Sequence, residues 1–332
     1  MEEWNLLTNE FKKSEGIGGQ SSIYINKEHN KIKKQFTVKD RKFYLIEKNN
    51  LLKLNHNNII KLLDFNDNEF CLYFKYYSNG SAFKWYMKNN DIKICDINIV
   101  IGLLRDIITA LEYTHKCGIT HRDIKLENIL IGELKEDGRY NHVLCDYGLS
   151  REALTKMNRI CGTYNYMSPE MWFSKDKSQY NYKTDIFSLG SLIIECVNGT
   201  SPFYDEYRCR FKSIYKNIDK CLNNPNERYY ERKIFDDIWY SNDEWNKLRE
   251  LLISMIQPNP TNRIDLSEII NFINNIGDDT ISDNEMVDDT ISDNEMVDDT
   301  ISDNEIVDDT ISDNEMIDNT ICNNNMNSLN KL

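Results

Sequence analysis

Hydrophobic and polar positions change their spacing near residue 80 of the chain. Residues 9–75 hold short stretches of alternating apolar and polar residues, separated by turn-forming segments at Gly16–Gly19, Glu28–Asn30 and Asn66–Asn68. This alternation predicts a small β-rich region. One helix is expected to interrupt it at about 38–54, where the apolar positions recur at roughly helical spacing.

Beyond Asn79-Gly80 the apolar residues follow a helical period. One stripe ends near Cys117-Gly118 and consists of Ile97, Val100, Ile101, Leu104, Ile107, Ile108 and Leu111. Similar patterns predict helices over 183–199 and 243–276. A small β-rich lobe followed by a larger helical lobe is an α+β architecture with two lobes.

The C-terminal part of the chain has a different composition. From residue 278 the ten-residue unit Asp-Asp-Thr-Ile-Ser-Asp-Asn-Glu-Met-Val repeats about four times, and 277–332 carry a net charge of −16. Because the whole 332-residue chain carries −14, residues 1–276 carry +2. Sparse apolar residues and like charges predict that this tail is disordered. The acidic balance describes the tail, so it does not indicate a nucleic-acid or membrane partner for the folded part.

The cysteines and the apolar runs bear on the compartment. Nine cysteines contain no Cys-x-x-Cys pair, and an odd number fits a disulfide framework poorly. The N-terminus has no basic start followed by an apolar run, and no stretch reaches the roughly 18 apolar residues that span a bilayer. We therefore expect a soluble intracellular protein, cytoplasmic in the first instance, without membrane or nucleic-acid partners.

Three strings of residues carry candidate chemistry. They are His121–Asn128 (His-Arg-Asp-Ile-Lys-Leu-Glu-Asn), Cys145–Gly148 (Cys-Asp-Tyr-Gly) and Gly162–Glu170 (Gly-Thr-Tyr-Asn-Tyr-Met-Ser-Pro-Glu). In this order and spacing they resemble the catalytic loop, the metal-binding turn and the end of the activation segment of protein kinases. The resemblance implies a kinase domain over 9–276, with an N-lobe at 9–76 and a C-lobe at 80–276, followed by the tail at 277–332.

The resemblance also implies roles for individual residues. Asp123 matches the Asp that accepts the proton of the substrate hydroxyl, and Asn128 and Asp146 match the ligands of Mg²⁺, with Mn²⁺ as an alternative. Lys125 and Thr163 match residues that support the hydroxyl and the γ-phosphate in serine/threonine kinases. The implied reaction is transfer of the γ-phosphate of ATP to Ser or Thr of protein substrates. The rival interpretation is a pseudokinase that binds ATP or acts as a scaffold.

The nucleotide site is implied by the same resemblance. A glycine-rich loop would bring backbone amides close to phosphate, although Ser21 stands where a third glycine is expected. Its contacts and those of the following strand would come from Gly16, Ile17, Gly18, Gly19, Ser21 and Ile23. Ile32, Lys34 and Phe36 would share one face of a short third strand, with Ile32 over the adenine. Lys34 is favoured as the phosphate-binding lysine, and Lys33 stays open because a one-residue slip exchanges the faces.

Further residues would complete this site and its frame. Glu47 is the expected partner of the lysine, Phe74 would be a bulky residue at the back of the adenine pocket, and the backbone of Tyr76 and Tyr77 would form the hinge. Tyr147 replaces the usual Phe, which bears on regulation more than on catalysis. The expected supports of the C-lobe are Asp185 below the catalytic loop and an ion pair between Glu170 and Arg263, and Cys145 is expected to be a packing residue.

Regulation is predicted from two segments. Arg159 occupies the place where an activating phosphosite often falls, and only Ser150 and Thr155 offer hydroxyls between 149 and 162. We therefore expect activity without phosphorylation there. In the tail, Ser282, Ser292, Ser302 and Ser312 lie in Ser-Asp-Asn-Glu, a setting suited to an acidophilic kinase. The alternatives are that the polyanion binds Lys156, Arg159 and Arg122, or that it only solubilises the protein.

Overall fold

The computed structural model describes residues 4–8, 21–87, 94–152, 163–173, 181–205, 210–211 and 234–279. The chain divides into two compact units, Met1–Glu285 and Met286–Leu332. All described residues belong to the first unit, so the predictions for residues 280–332, including the four tail serines, lie outside the described residues.

An antiparallel five-stranded sheet forms the small lobe, with strand order β1-β2-β3-β5-β4. Its strands are β1 (Asn5–Thr8), β2 (Ser21–Asn26), β3 (Lys31–Phe36), β4 (Leu62–Asn66) and β5 (Cys71–Lys75). In the register, Ile32 lies opposite Ile25 on one side and Phe74 on the other. Partners that face each other across strands share a sheet face, so an apolar surface forms on the side where helix α1 (Arg41–Leu51) packs.

Helices build the large lobe. After α1 they are α2 (Ala82–Met87), α3 (Ile97–Lys116), α4 (Pro169–Phe173), α5 (Lys183–Asn198), α6 (Asp243–Met255) and α7 (Leu266–Asp279). Two of them begin at side-chain caps: Asp96 accepts from the Asn98 amide ahead of α3, and Asn242 accepts from the Trp245 amide ahead of α6. Each cap satisfies an amide that has no partner within the helix.

The core of the large lobe lies around α3 and α5. Both helices are buried on almost every side along their middle turns, and α6 and α7 pack against them. Such helices lack a wide polar stripe because they are covered by protein all round. They give the lobe a rigid centre on which the loops that carry chemistry are mounted.

Short strands position the loops of the site. β6 (Ile119–Thr120) pairs with β9 (Arg151–Glu152), and β7 (Ile129–Leu134) pairs with β8 (Tyr140–Leu144). The His121–Asn128 segment therefore leaves β6 and enters β7, and the Cys145–Gly148 segment follows β8. A further short pair, β10 (Tyr204–Asp205) with β11 (Arg210–Phe211), lies in the large lobe.

The two-lobed α+β architecture predicted from the sequence is confirmed. The strands begin at Asn5, earlier than the expected position 9, and the predicted helix at 38–54 is an α-helix over 41–51 after a 3₁₀ turn at Val38–Asp40. Both ranges predicted to be helical hold helices, and 243–276 holds two, because Pro258 and Pro260 in the connection cannot continue a helix. The second of them continues to Asp279, into the segment predicted to be tail.

Candidate functional site

Three polar side chains surround the carboxylate of Asp123 in the His121–Asn128 segment. Lys125 Nζ lies 2.8 Å from Asp123 Oδ2, and Asn128 Nδ2 donates to the same oxygen at 3.0 Å and to the Asp123 carbonyl at 2.8 Å. Thr163, from the segment before α4, donates from Oγ1 to Asp123 Oδ1 at 2.9 Å and accepts from Lys125 Nζ at 3.0 Å. The carboxylate of Asp123 is thus held in one orientation by three side chains.

A buried acid holds the backbone of this loop. Asp185, on the first turn of α5, accepts from the amides of His121 and Arg122, each at 2.8 Å, and from His115 Nε2 at 2.8 Å. Arg122 has a φ of 72°, a left-handed conformation that costs an L-residue about 1–2 kcal/mol. Burial opposes ionisation of Asp185, but the hydrogen bonds it accepts outweigh burial and lower its pKa. The charged acid therefore holds this conformation at neutral pH.

The lysine of the third strand joins two acids. Lys34 Nζ lies 3.0 and 2.7 Å from the two carboxylate oxygens of Glu47 on α1, and 2.9 Å from Asp146 Oδ1. The Glu47 side chain is buried and that of Lys34 is 13% exposed, whereas the side chain of Asp146 is 40% exposed. Three elements that are distant in sequence meet at this ammonium group.

The neighbouring Lys33 has a different environment. Its Nζ lies 4.5 Å from the ring centre of Tyr24 and 5.3 Å from that of Trp4, on the opposite face of the sheet. These are cation–π contacts at the surface. The register of β3 thus places Lys34, and not Lys33, beside Glu47 and Asp146.

The charges of this cluster shift one another's pKa values. Burial would lower the pKa of Lys34, but the carboxylates of Asp146 and Glu47 more than offset it and raise the pKa above its ordinary value. Partial burial opposes ionisation of Asp146, and Lys34 outweighs it, lowering the pKa to about 2. Burial raises the pKa of Glu47 to about 7, against the attraction of Lys34. One lysine serves two acids, and Asp146 is the one that stays ionised throughout the neutral range.

Helix α1 is fixed on its outer side as well. Tyr44 and Lys48, one turn apart, both donate to Asp67 Oδ1 in the turn between β4 and β5, the Tyr44 hydroxyl at 2.7 Å. Positions i and i+4 lie on the same side of a helix, so one carboxylate can engage both. Glu47 lies between Tyr44 and Lys48 in sequence. The contact with Asp67 therefore fixes the rotation of helix α1 about its own axis, and with it the direction in which Glu47 points towards Lys34.

The turn that carries Asp146 is tightly packed. Asp146 has a φ of 65°, the left-handed region, and a 3₁₀ turn over Tyr147–Leu149 follows it. A Cβ on Gly148 would lie 3.3 Å from both Asp146 Oδ1 and Glu47 Oε2, so a side chain there would displace one of these carboxylates by a few tenths of an ångström. Cys145 packs against the core, and burial raises the pKa of its thiol, in line with its expected packing role.

The expected adenine-facing residues come from adjacent strands and the hinge. Ile23 on β2 lies opposite Lys34, Phe74 on β5 lies opposite Ile32, and Phe74 is buried. The Tyr76 amide already donates to the carbonyl of Asn30 at 2.9 Å, while Tyr77 packs against the core. Ser21 begins β2, opposite Phe36. Gly16, Ile17, Gly18 and Gly19 lie outside the described residues.

The ion pair expected in the large lobe is present. The Arg263 guanidinium contacts both carboxylate oxygens of Glu170, at 2.8 and 3.0 Å, and donates to the carbonyls of Gln257 and Lys183. Arg263 is 1% exposed. A bidentate pair with its remaining donors satisfied is the arrangement in which a buried guanidinium is stable.

Several supporting residues could not be found from the sequence motifs. These are His115 beside Asp185, Thr114 beside Tyr147, and Asp67 beside α1. For Thr114 and His115 the sequence signal was two adjacent polar residues near the C-terminal end of α3, a place where helices commonly become polar. Ser150 is buried and donates to the carbonyl of His121 at 3.3 Å, whereas Thr155, Lys156 and Arg159 lie outside the described residues.

Two absences apply to the part of the chain that the structure describes. Within it no helix is both long and apolar enough to cross a bilayer. In the same residues, no three side chains among His, Cys, Asp and Glu form a group that could hold a metal ion by themselves.

Comparisons with known proteins identify the family. The family model described as protein kinase domain matches residues 17–272. An Aurora kinase of Dictyostelium discoideum is 30% identical over 66% of this chain and 50% of its own length. The meiosis-specific serine/threonine-protein kinase mek1 of Schizosaccharomyces pombe is 26% identical over 68% of this chain and 58% of its own. Ribosomal protein S6 kinase alpha-4 of Homo sapiens is 37% identical over 39% of this chain and 16% of its own.

The chain spans less than two thirds of the length of each of these relatives, so they inform on the domain and not on a whole protein. The family match, in contrast, covers most of the chain and includes all three motif strings. The protein belongs to the protein kinase family.

Proposed function

We propose that this domain transfers the γ-phosphate of Mg-ATP to Ser or Thr hydroxyls of protein substrates. The observation that carries the proposal is the contact of Lys125 and Thr163 with the two oxygens of Asp123. A carboxylate fixed in this way can accept a hydrogen bond from an incoming hydroxyl and take its proton. Lys125 adds a positive charge beside the place where the γ-phosphate would arrive, which favours transfer.

Asp146 and Asn128 would hold the metal ion. A carboxylate oxygen and an amide oxygen are the hard ligands that Mg²⁺ prefers, and Mn²⁺ accepts the same set. Asp146 is ionised at neutral pH and its side chain is 40% exposed, so it is available to a cation. When bound, the ion would neutralise charge on the phosphates. Asn128 also orients Asp123 through its amide nitrogen, which ties metal binding to the acceptor site.

Lys34 and Glu47 would orient the phosphates. The ammonium group of Lys34 lies among carboxylates with its charge well stabilised, and Glu47 sets its direction. Ile23, Ile32 and Phe74 would surround the adenine. The Tyr76 amide is engaged by Asn30, which leaves the Tyr77 backbone as the proposed hinge contact. Gly16–Gly19 and Ser21 would cover the phosphates.

The second candidate is a pseudokinase, and two features of the sequence favour it. Ser21 replaces a glycine of the phosphate loop, and the third strand is short in the sequence pattern. However, β3 is paired on both sides, with β2 and with β5, which weakens the second argument. A domain that had lost activity would also have no need to hold Asp123 with three side chains.

Phosphate transfer from γ-labelled Mg-ATP to a generic basic protein and to a peptide array tests the proposal. Wild type should label Ser or Thr, and Asp123→Asn should reduce the rate by about 10²–10⁴-fold. Asp64→Asn, an exposed acid on β4, is the matched control and should leave the rate unchanged. Absence of transfer by folded wild type, with and without residues 280–332 and with and without prior phosphorylation, would favour the pseudokinase.

Partners and regulation remain predictions of the same proposal. Protein substrates follow from the reaction, and an intracellular, cytoplasmic location is the expectation that fits them. Activity without a phosphate in the segment after Ser150 and phosphorylation of the tail serines by an acidophilic kinase are separate predictions. Mass spectrometry of active protein from cells, read at Thr155 and at the four tail serines, checks both.

A further inference from the structure

The residue after the proposed metal ligand carries a hydroxyl that packing alone does not require. The Tyr147 ring is completely buried and lies edge-on to His121, with ring centres 4.7 Å apart. A phenylalanine ring would fill the same space. The additional hydroxyl lies 3.0 Å from Thr114 Oγ1, on the last turn of α3. A buried phenol without a partner would be costly, so the partner at Thr114 is what allows tyrosine here.

The direction of this hydrogen bond follows from the second contact of Thr114. Its Oγ1 also lies 2.8 Å from the carbonyl of Ala110, and a carbonyl can only accept. The one hydroxyl proton of Thr114 therefore goes to Ala110, and the Tyr147 hydroxyl donates to Thr114. Two hydrogen bonds in series connect the metal-binding turn to the backbone of α3, and bonds in such a chain strengthen each other.

The connection matters because the preceding residue is strained. Asp146 is in the left-handed conformation, which persists in an L-residue only where the surroundings fix it. On one side Lys34 holds its carboxylate at 2.9 Å, but in the proposed function Lys34 also serves the phosphates. On the other side Tyr147 is anchored to a helix of the rigid large lobe, and this anchor does not depend on the nucleotide.

We propose that Thr114 and Tyr147 are positioning residues that hold Asp146 ready for a divalent cation before the cation arrives. The inference rests on the proposed function for the identity of the metal ligand. We call the hydrogen bond between the Tyr147 hydroxyl and Thr114 Oγ1 the hydroxyl bridge. Without it, the cation would have to order the turn when it binds, which weakens its apparent affinity, so more Mg²⁺ would be needed for the same occupancy.

Four variants test the bridge: Tyr147→Phe, Thr114→Val, the double variant, and Thr114→Ser. Loss of one buried hydrogen bond corresponds to about a fivefold change, so the first two should each raise the Mg²⁺ concentration for half-maximal transfer by about that factor at saturating ATP. The double variant should match the single ones, because both remove the same bond. Thr114→Ser keeps the hydroxyl and should restore wild-type Mg²⁺ dependence. Tyr113→Phe, which removes a phenol one residue from Thr114, is the matched control.

Stability separates the two single variants. Tyr147→Phe leaves Thr114 bonded to Ala110, whereas Thr114→Val leaves the buried Tyr147 hydroxyl without an acceptor. Thr114→Val should therefore lower the melting temperature more, and adding Tyr147→Phe to it should recover part of that loss. Unchanged Mg²⁺ dependence in Tyr147→Phe, with only the melting temperature altered, would show a purely structural hydroxyl and overturn the proposal.

Nucleotide binding distinguishes failure of this inference from failure of the proposed function. ATP affinity is measured by calorimetry with and without Mg²⁺ for wild type and Tyr147→Phe. If wild type transfers no phosphate but binds ATP more tightly with Mg²⁺, the proposed function fails while the Mg²⁺-dependent gain still measures the bridge. If wild type shows neither transfer nor a Mg²⁺-dependent gain, both proposals fail.

Discussion

The catalytic loop and the Lys34 cluster are built in opposite ways. Asp123, Lys125 and Asn128 come from one short segment whose backbone is fixed by the buried Asp185. Lys34 meets Glu47 and Asp146 from separate elements, and Lys34 and Asp146 are 112 residues apart in sequence. In the loop, backbone hydrogen bonds define the geometry. In the cluster, attraction between side chains defines it.

This difference indicates what each region contributes. The supports of the loop are buried in the large lobe, so their loss should reduce stability. In the cluster the side chain of Asp146 is 40% exposed, so loss of the cluster's contacts should reduce activity more than stability. Four changes, taken from the largest expected effect to the smallest, test this separation.

Arg263→Met should have the largest effect, and on stability alone. It leaves the buried carboxylate of Glu170 without its partner, which costs about 3–5 kcal/mol of the free energy of unfolding. Urea denaturation measures the loss, and Arg263→Met combined with Glu170→Gln should recover part of it. A transfer rate per folded molecule that falls as steeply as stability would contradict the separation.

Lys34→Met should have the opposite effect and reduce activity more than stability. Loss of a preorganised charge at the phosphates should lower the transfer rate by about 10²–10³-fold. The free energy of unfolding should change less than in Arg263→Met, because Glu47, whose pKa burial raises to about 7, can take up a proton when Lys34 is removed, and Asp146 is 40% exposed. Lys33→Met is the matched control on the neighbouring position and should stay close to wild type, because Lys33 lies over the rings of Tyr24 and Trp4, on the face of the sheet opposite Lys34. Equal losses in the two variants would place the phosphate-binding lysine elsewhere.

Asp185→Asn should affect both quantities. The amide keeps one acceptor oxygen, but its NH₂ group would face a backbone amide, and a lost hydrogen bond to a charged acceptor is worth about 1.5–3 kcal/mol. The left-handed Arg122 would relax, and Asp123 would move with it. We expect a matching fall in stability and in transfer rate, measured by denaturation and by initial rates. A stable variant with low activity would mean that Asp185 acts in chemistry and not in support.

The smallest effect concerns pH. Burial lowers the pKa of His121, and the carboxylates of Asp185 and Asp123 offset this only in part. Below about pH 6.5 His121 is therefore protonated in the unfolded chain but not in the folded chain. As the pH decreases, this group lowers the free energy of unfolding by at most about 1.4 kcal/mol per pH unit. His121→Phe should flatten the stability curve between pH 7 and 5.5. His56, whose pKa is also lowered by burial, keeps its own contribution.

The sequence was sufficient for what depends on local pattern. The apolar stripe of α3 is long and regular, so its bounds were predicted almost to the residue. The connection between α6 and α7 was missed because apolar residues on both sides continue the same period. Pro258 and Pro260 could have revealed it.

Partners across the fold were predicted only where the resemblance to protein kinases supplied them, as for Glu170 and Arg263. Thr114 and His115 lie on a helix whose pattern reports burial, but not which loop packs against each position. Asp67 lies in a turn where an Asp needs no further explanation. Such contacts depend on how distant segments pack together, which composition and periodicity do not encode.

The long separations within the site also set an order for its assembly during synthesis. A ribosome releases the chain from the N-terminus, so Lys34 and Glu47 emerge well before Asp146. The catalytic loop then emerges before Asp185, and Glu170 before Arg263. At each stage one member of a charged pair has been synthesised while its partner has not. A nascent chain that stalls before residue 263 therefore leaves the carboxylate of Glu170 without its cation, so the Glu170–Arg263 pair is the last of these contacts to form during synthesis.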